Sequence, residues 1–294
     1  MSRASTMPRL PRRKPAPLGG RGPLRTVGIV LLWLFVALNV ALLAWVFLQS
    51  FRDTRSILNA PLGWPDSWSF SNFANAWNVG GFGRAAFNSV MVTGVSSVVT
   101  VALAAPAAYH LSRHESRLNS GITMYFIVGL GIPAQVIVIP LFVMLAKVDL
   151  INSLIGLMLV SIGVGMPFTV FLLTGFFRSL PSELEEAAAL DGASPVATFV
   201  RVMLPVARGG LITALVLQII SNWNETLIAL TLLQSTDKYT LPLALISFVQ
   251  QQTYSGADWG GLFAGLTIVI LPMLIVYVLL GRKLSEGLTL GVGK

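Results

Sequence analysis

Side chains that could do chemistry are scarce in this chain, and those of interest fall into three groups. The first is an acidic, alanine-rich run with a polar turn behind it, SELEEAAALDGASP over residues 182–195. The second is Gln218, Ser221, Asn222 and Glu225, spaced i, i+3, i+4 and i+7, with Trp223 and Asn224 beside them. The third is His110 and His114, four apart, with Glu115 following. Nothing here composes a redox or hydrolytic centre. The chain has no cysteine, which excludes disulfides, thiolate catalysis and cysteine metal sites. The histidine pair has the spacing of two metal ligands, but without clear further ligands it is read as solvated or part of an interface. No GxxxxGK[ST] loop is present, so the chain is not expected to bind ATP that way.

The medium gives these groups their weight. Of 294 residues 54% are hydrophobic and only 11% charged, against about 25% charged in a soluble domain. A bilayer core needs roughly 20 apolar helical residues. Six long stretches qualify: Thr26–Phe51, Ala85–Ser112, Leu118–Ala146, Leu150–Phe177, Gly209–Thr236 and Trp259–Gly281, the fifth interrupted only by Glu225. The expected fold is an all-α integral membrane protein with six transmembrane helices, whose backbone bonds are satisfied internally. Strands of a β-barrel would be shorter and alternating. The apolar run of the first span is too long for a cleaved signal peptide, and no small-x-small site closes it.

Charge sets the orientation. With the N-terminus inside, fifteen of the 20 Lys and Arg fall inside and five outside, so both termini are expected in the cytoplasm. The formal charge of +8 is therefore a topological signal, and no nucleic-acid partner is expected. Residues 1–26, with five prolines, seven Lys or Arg and no acid, are expected to be a disordered basic tail. Residues 27–281 form the transmembrane domain, which includes a cytoplasmic loop at 178–208, and residues 282–294 form a C-terminal tail.

An intramembrane acid is a functional candidate by default. Gln218, Ser221, Asn222 and Glu225 share one helical face, which should turn to the interior or to a wet cavity. Two readings stay open: a substrate path, where amides, hydroxyls and a nearby aromatic would suit a sugar, or ties between helices. For Glu225, protonation and pairing both remain open. Gln135, between Pro133 and Pro140, is a further path candidate. Pro106, Pro133, Pro140, Pro167 and Pro272 are expected to kink helices around a cavity. Gly261-x-x-x-Gly265 would permit close helix contact.

The 178–208 loop has legible start and stop signals. Ser182 and Glu185 suggest a capping box, with Glu183, Glu185 and Glu186 at the positive end of the helix dipole. Gly192 offers a left-handed stop. Ser194 and Pro195 offer a second cap and first-turn proline, for a helix expected to reach Leu204 and break at Pro205. An alanine-rich helix rimmed with acids fits a protein groove better than an anionic membrane surface.

At these residues a family resemblance becomes specific. Glu186-Ala187-Ala188, Asp191-Gly192-Ala193, Phe199 and Leu204-Pro205 resemble, in spacing, the EAA loop of permease subunits of ABC importers. FSNFANAW with FGRAAFNSVMVTG, ISNWNETLIALTLL and the ending GLTLGVGK resemble the carbohydrate-type members, on the side of the maltose-type permease partner with six spans. The resemblance implies the type I ABC importer permease fold and a subunit that is not itself an enzyme. It implies two ATPase subunits that hydrolyse ATP, a second permease, an extracytoplasmic solute-binding protein and a sugar cargo. Glu183, Glu185, Glu186, Ala187, Ala188, Asp191, Gly192 and Ala193 are then the ATPase-coupling candidates. The path candidates are Gln218, Ser221, Asn222, Asn224, Glu225 and Gln135. A short helix over Leu241–Gln252 would face the binding protein. Competing readings are a polyol, peptide or osmolyte cargo, a secondary transporter, which would need inverted repeats and broken helices, and an intramembrane enzyme.

Overall fold

The computed structural model describes residues 23–65, 68–78, 80–256 and 258–292. The expected tail over 1–26 lies outside the described residues as far as residue 22. Helix α1 (Pro23–Gln49) already begins within that range. Two compact units are present, one ending at Trp45 and one running from Val46. Within the first, Asn39 donates its amide to the Phe35 carbonyl at 2.8 Å, returning a polar group to its own helix.

The second unit contains the remaining helices. Short α2 (Thr54–Asn59) and α3 (Ser71–Asn78) precede the long α4 (Phe82–Arg113). Next come α5 (Arg117–Leu130), α6 (Ala134–Lys147) and α7 (Leu154–Arg178). A surface loop follows, with α8 (Glu183–Leu190), α9 (Pro195–Thr198), a π-turn at Phe199–Met203 and α10 (Leu204–Val206). The chain ends in α11 (Arg208–Asn224), α12 (Leu227–Leu232), a 3₁₀ turn at Thr236–Lys238, α13 (Leu241–Ser255) and α14 (Trp259–Val292). No strand occurs among the described residues. Four helices are long and apolar enough to cross a membrane, or up to six if each bent helix pair counts as one span.

The centre of the bundle is α4 against α7. Ser89, Thr93, Ser96, Ser97, Thr100, Ala104 and Ala108 recur every three or four residues on α4 and are all buried. Small side chains let helices approach closely where lipid offers no hydrophobic drive. Ala104, Ala105, Ala108 and Leu111 pack on Val170, Leu173, Phe176 and Phe177, with Met203, Ala207 and Ala214 closing the cluster. At Gly210 a Cβ would lie 2.4 Å from the Phe176 ring, so that contact requires glycine. A Cβ at Gly265 would meet the Phe82 ring at 2.6 Å, which bears out the close approach expected of Gly261-x-x-x-Gly265.

One expectation needs correction. The third span is two 14-residue helices, bent by 103° across Gly131–Ile132–Pro133. Pro133 has no N–H and disfavours helical geometry at Ile132. Pro106, Pro140, Pro167 and Pro272 lie inside helices that continue through them. Helix α14 runs on into the segment read as the C-terminal tail, as far as Val292. The helix expected over Leu241–Gln252 is present as α13, with Leu241, Leu243, Ala244 and Phe248 buried in the core and Val249, Gln250 and Gln251 exposed.

Candidate functional site

Two groups of polar residues lie in the second unit, one in a surface loop and one between helices. The loop keeps the turn read from its residues. Gly192 has φ +76°, its N–H reaches Ala189 O at 3.0 Å and Ala193 N–H reaches Ala188 O at 2.9 Å. These are the two bonds of a Schellman stop. Ser194 then caps α9, its side chain accepting from Ala197 N at 3.3 Å, with Pro195 in the first turn.

The start of α8 departs from expectation. Ser182 is itself helical (φ −69°, ψ −23°) and its side chain makes no cap bond, so there is no capping box. Glu185 is engaged elsewhere. Its carboxylate accepts from Arg113 Nε on α4 at 2.6 Å, and Arg113 also donates to Leu180 O at 3.1 Å. Both side chains are largely buried, at 14% and 23% exposure, where a charge-assisted bond is stronger than at the surface. Leu184 and Ala188 face inward as well. This divides the helix in two. Glu185 and Ala188 serve the chain's own packing, whereas Glu183, Glu186, Ala187, Asp191 and Gly192 are exposed and Ala193 is half-buried. Leu190 is 89% exposed and Val196 72%; sequence reasoning passed over both.

Beyond α9 the chain stays helical to Val206, close to the break expected at Pro205. A π-turn intervenes, with Leu204 N–H bonded to Phe199 O. It falls just before the proline that lacks an N–H for the ladder. The bend comes at Ala207 (ψ 3°) and amounts to 74°. Phe199 stacks on Tyr109 of α4 at 5.0 Å, and Tyr109 meets Phe177 of α7 edge-on at 5.5 Å. An aromatic stack and an ion pair therefore join the loop to the two central helices.

The second group lines a cavity of about 320 Å³ bounded by Ser161, Gly165, Phe168, Gln218, Ser221, Asn222, Glu225 and Ile228, among others. Gln218 is 3% exposed and donates to Thr169 Oγ1 at 2.8 Å. It fits because residue 165 is glycine, where a Cβ would sit 2.6 Å from its Oε1. Asn222 donates to Ser97 Oγ of α4 at 3.0 Å. Glu225 is not on the α11 face. The helix ends at Asn224, Glu225 is extended (ψ 115°), and its carboxylate accepts the Ile228 N–H that opens α12. A carboxylate at a helix start is favoured by the dipole. The residues both line a cavity and tie helices. Asn224 and Gln135 are not among the residues lining this cavity: Asn224 is exposed and bonded to Ile220 O, and Gln135 is exposed on α6.

His110 and His114 stack, rings 4.5 Å apart, and His110 Nε2 lies 3.4 Å from Asn119 Nδ2. No group of three metal-ligating side chains occurs among the described residues.

Residues 100–289, which include the loop and most of the cavity lining, match the family described as binding-protein-dependent transport system inner membrane component. The chain belongs to this family. The permease is thus a multi-pass component of an ABC importer in the inner membrane. It is 34% identical over 263 residues to the diacetylchitobiose uptake system permease protein NgcG of Streptomyces coelicolor, covering 90% of this chain and 86% of that one. It is 32% identical over 257 residues to the trehalose transport system permease protein SugB of Mycobacterium tuberculosis, covering 85% and 90%. Its fold matches a crystal structure of a bacterial ABC transporter involved in the import of the acidic polysaccharide alginate. That match has a TM-score of 0.76 at 22% identity and covers 91% of the permease and 99% of the other chain. The fold is therefore the type I permease fold.

The sequence reading missed Ser97, Ser161, Gly165 and Thr169, which face the polar side chains of α11. A signal was present in the Ser and Thr spacing along α4, where Ser89, Thr93, Ser96, Ser97 and Thr100 trace one stripe.

Proposed function

We propose that this permease moves a sugar across the membrane by alternating access, driven by ATP hydrolysed on separate subunits and transmitted through α8. The chain performs no catalysis and binds no nucleotide. Both termini and the α8–α10 loop lie in the cytoplasm, where the positive charge is concentrated. One of two ATPase subunits holds the exposed face of α8, a second permease completes the pathway, and a solute-binding protein delivers cargo from outside.

The observation carrying the coupling role is the division of α8. Its inner face is fastened to α4 through Glu185 and Arg113, and its outer face presents Glu186, Ala187 and Leu190. A partner gripping the outer face would pull on α4 through the ion pair and on α7 through the Phe199–Tyr109–Phe177 stack. The sugar cargo is supported by the diacetylchitobiose and trehalose relatives and by the cavity. Amide, hydroxyl and carboxylate groups with Phe168 nearby suit a polyhydroxylated solute.

Glu186→Lys and Gly192→Pro test the coupling. Both are expected to weaken ATPase association in pull-down and to lower sugar uptake at unchanged membrane levels of the chain. Unaltered pull-down and uptake would refute the assignment.

A further inference from the structure

Arg52 is a cation without an anion. It follows the end of α1, is 4% exposed, and bonds only neutral oxygens. Its Nη1 donates to Gln49 Oε1 and Ala60 O at 2.8 Å each, and Nη2 donates to Ser56 O at 2.7 Å. Its Nε is buried and has no hydrogen-bond partner, and no carboxylate of the described residues pairs with it. A guanidinium has five donors in a planar fork, so its bidentate capacity is incompletely used. Burying such a charge unpaired is costly.

Arg52 lines a polar cavity of about 290 Å³ with Asp53, Ser56, Ser69, Ser71 and Asn72. Asp53 is ionised across the neutral range: the Ser56 hydroxyl bonded to it holds its carboxyl below the ordinary value. Adjacent positive and negative groups thus share one small cavity. The surroundings place it at the membrane boundary. One candidate span ends at Gln49 and another starts at Trp259, whose N–H donates to Thr54 Oγ1 at 3.1 Å. The neighbouring aromatic rings Trp68 and Phe70, 5.0 and 5.2 Å from Phe51, are exposed, as are aromatic side chains at a bilayer interface.

We propose that this cavity binds the headgroup of a zwitterionic phospholipid, its phosphate on Arg52 and its primary ammonium on Asp53. The planar fork suits phosphate oxygens. Ser69 and Ser71 supply further hydroxyl donors. A primary ammonium donates hydrogen bonds to a carboxylate, which a trimethylammonium cannot. A glycerol headgroup carries no charge to match Asp53. The site makes no use of the cargo or of the ATPase, so it stands or falls apart from the transport reading.

Native mass spectrometry of the full-length chain, released from nanodiscs with equal phosphatidylethanolamine, phosphatidylglycerol and phosphatidylcholine, tests the site. The wild type is expected to retain phosphatidylethanolamine preferentially. Arg52→Lys keeps the charge but loses the fork, and should lower that retention about tenfold, as for one charged hydrogen bond. Asp53→Asn leaves the Arg52 contacts in place and should abolish the preference for ethanolamine over glycerol while retaining lipid. This second variant keeps the test decisive if Arg52→Lys disturbs the loop. Equal retention of all three lipids by the wild type overturns the proposal, as does an unchanged preference in Asp53→Asn. Binding of added inorganic phosphate with no selective lipid retention overturns the lipid assignment in favour of a free anion.

Discussion

Arg113 and Glu185 carry more of the coupling account than any other residue pair. They are 72 positions apart, and their bond at 2.6 Å replaces the local cap that Ser182 and Glu185 suggest. Arg113→Ala would leave the half-buried Glu185 carboxylate without its cation, with the Tyr109 hydroxyl as a remaining partner, at a cost of about 1–3 kcal/mol. The expected result is a lower Tm together with reduced ATPase association, read by thermal unfolding and pull-down. Glu185→Gln, which retains an acceptor for Arg113, should lose less of both. Two sites within reach of one another explain why this was not legible: a capping box is a local pattern, and it lost to a charged partner on another helix. Gly192 was legible for the opposite reason. Its φ of +76° and the Schellman bonds depend only on the few residues around it.

At the scale of the helix, α11 and its partners decide how the polar face is used. Gln218 is tied to Thr169 and Asn222 to Ser97, so the same amides bind helices together and line the cavity. Gln218→Leu removes the amide while Thr169 keeps its own bond to Gly165 O at 2.8 Å. Folding should survive, and uptake should fall about tenfold, the equivalent of one buried hydrogen bond; uptake by membrane vesicles at matched protein level measures it. Gly210→Ala tests packing alone. Its new methyl would overlap the Phe176 ring and should cost about 1–3 kcal/mol, seen in thermal unfolding. Helix existence was readable from apolar length, whereas helix ends were less so. The bend at 131–133 was signalled by Pro133, but its 103° size depends on packing. The end of α11 at Asn224 carries no Gly or Pro to announce it, and that single break moves Glu225 off the helical face to the start of α12.

At the scale of the molecule, the arrangement joins the exposed face of α8 to a cavity through packed parts. The loop is linked to α4 by the ion pair and to α4 and α7 by stacked rings. These two helices pack along a stripe of small side chains, and their Ser97 and Thr169 hold the amides lining the cavity. Movement imposed at α8 therefore has a continuous packed route to the polar residues, the kind of chain of packed side chains and hydrogen bonds that can carry coupling between distant sites. The scarcity of charge made the class of molecule legible at once, since 11% charged residues exclude a water-exposed surface. The spacing of the alanine-rich loop made the family legible. The cargo was less so, because a cavity of amides and hydroxyls specifies hydrogen-bonding capacity rather than one solute. The most direct test is to purify the permease with its ATPase and second permease subunits in nanodiscs and measure ATP hydrolysis on adding sugar-loaded binding protein. The account predicts stimulation that Glu186→Lys abolishes. Hydrolysis unchanged by sugar-loaded binding protein, or stimulated equally in Glu186→Lys, would contradict it.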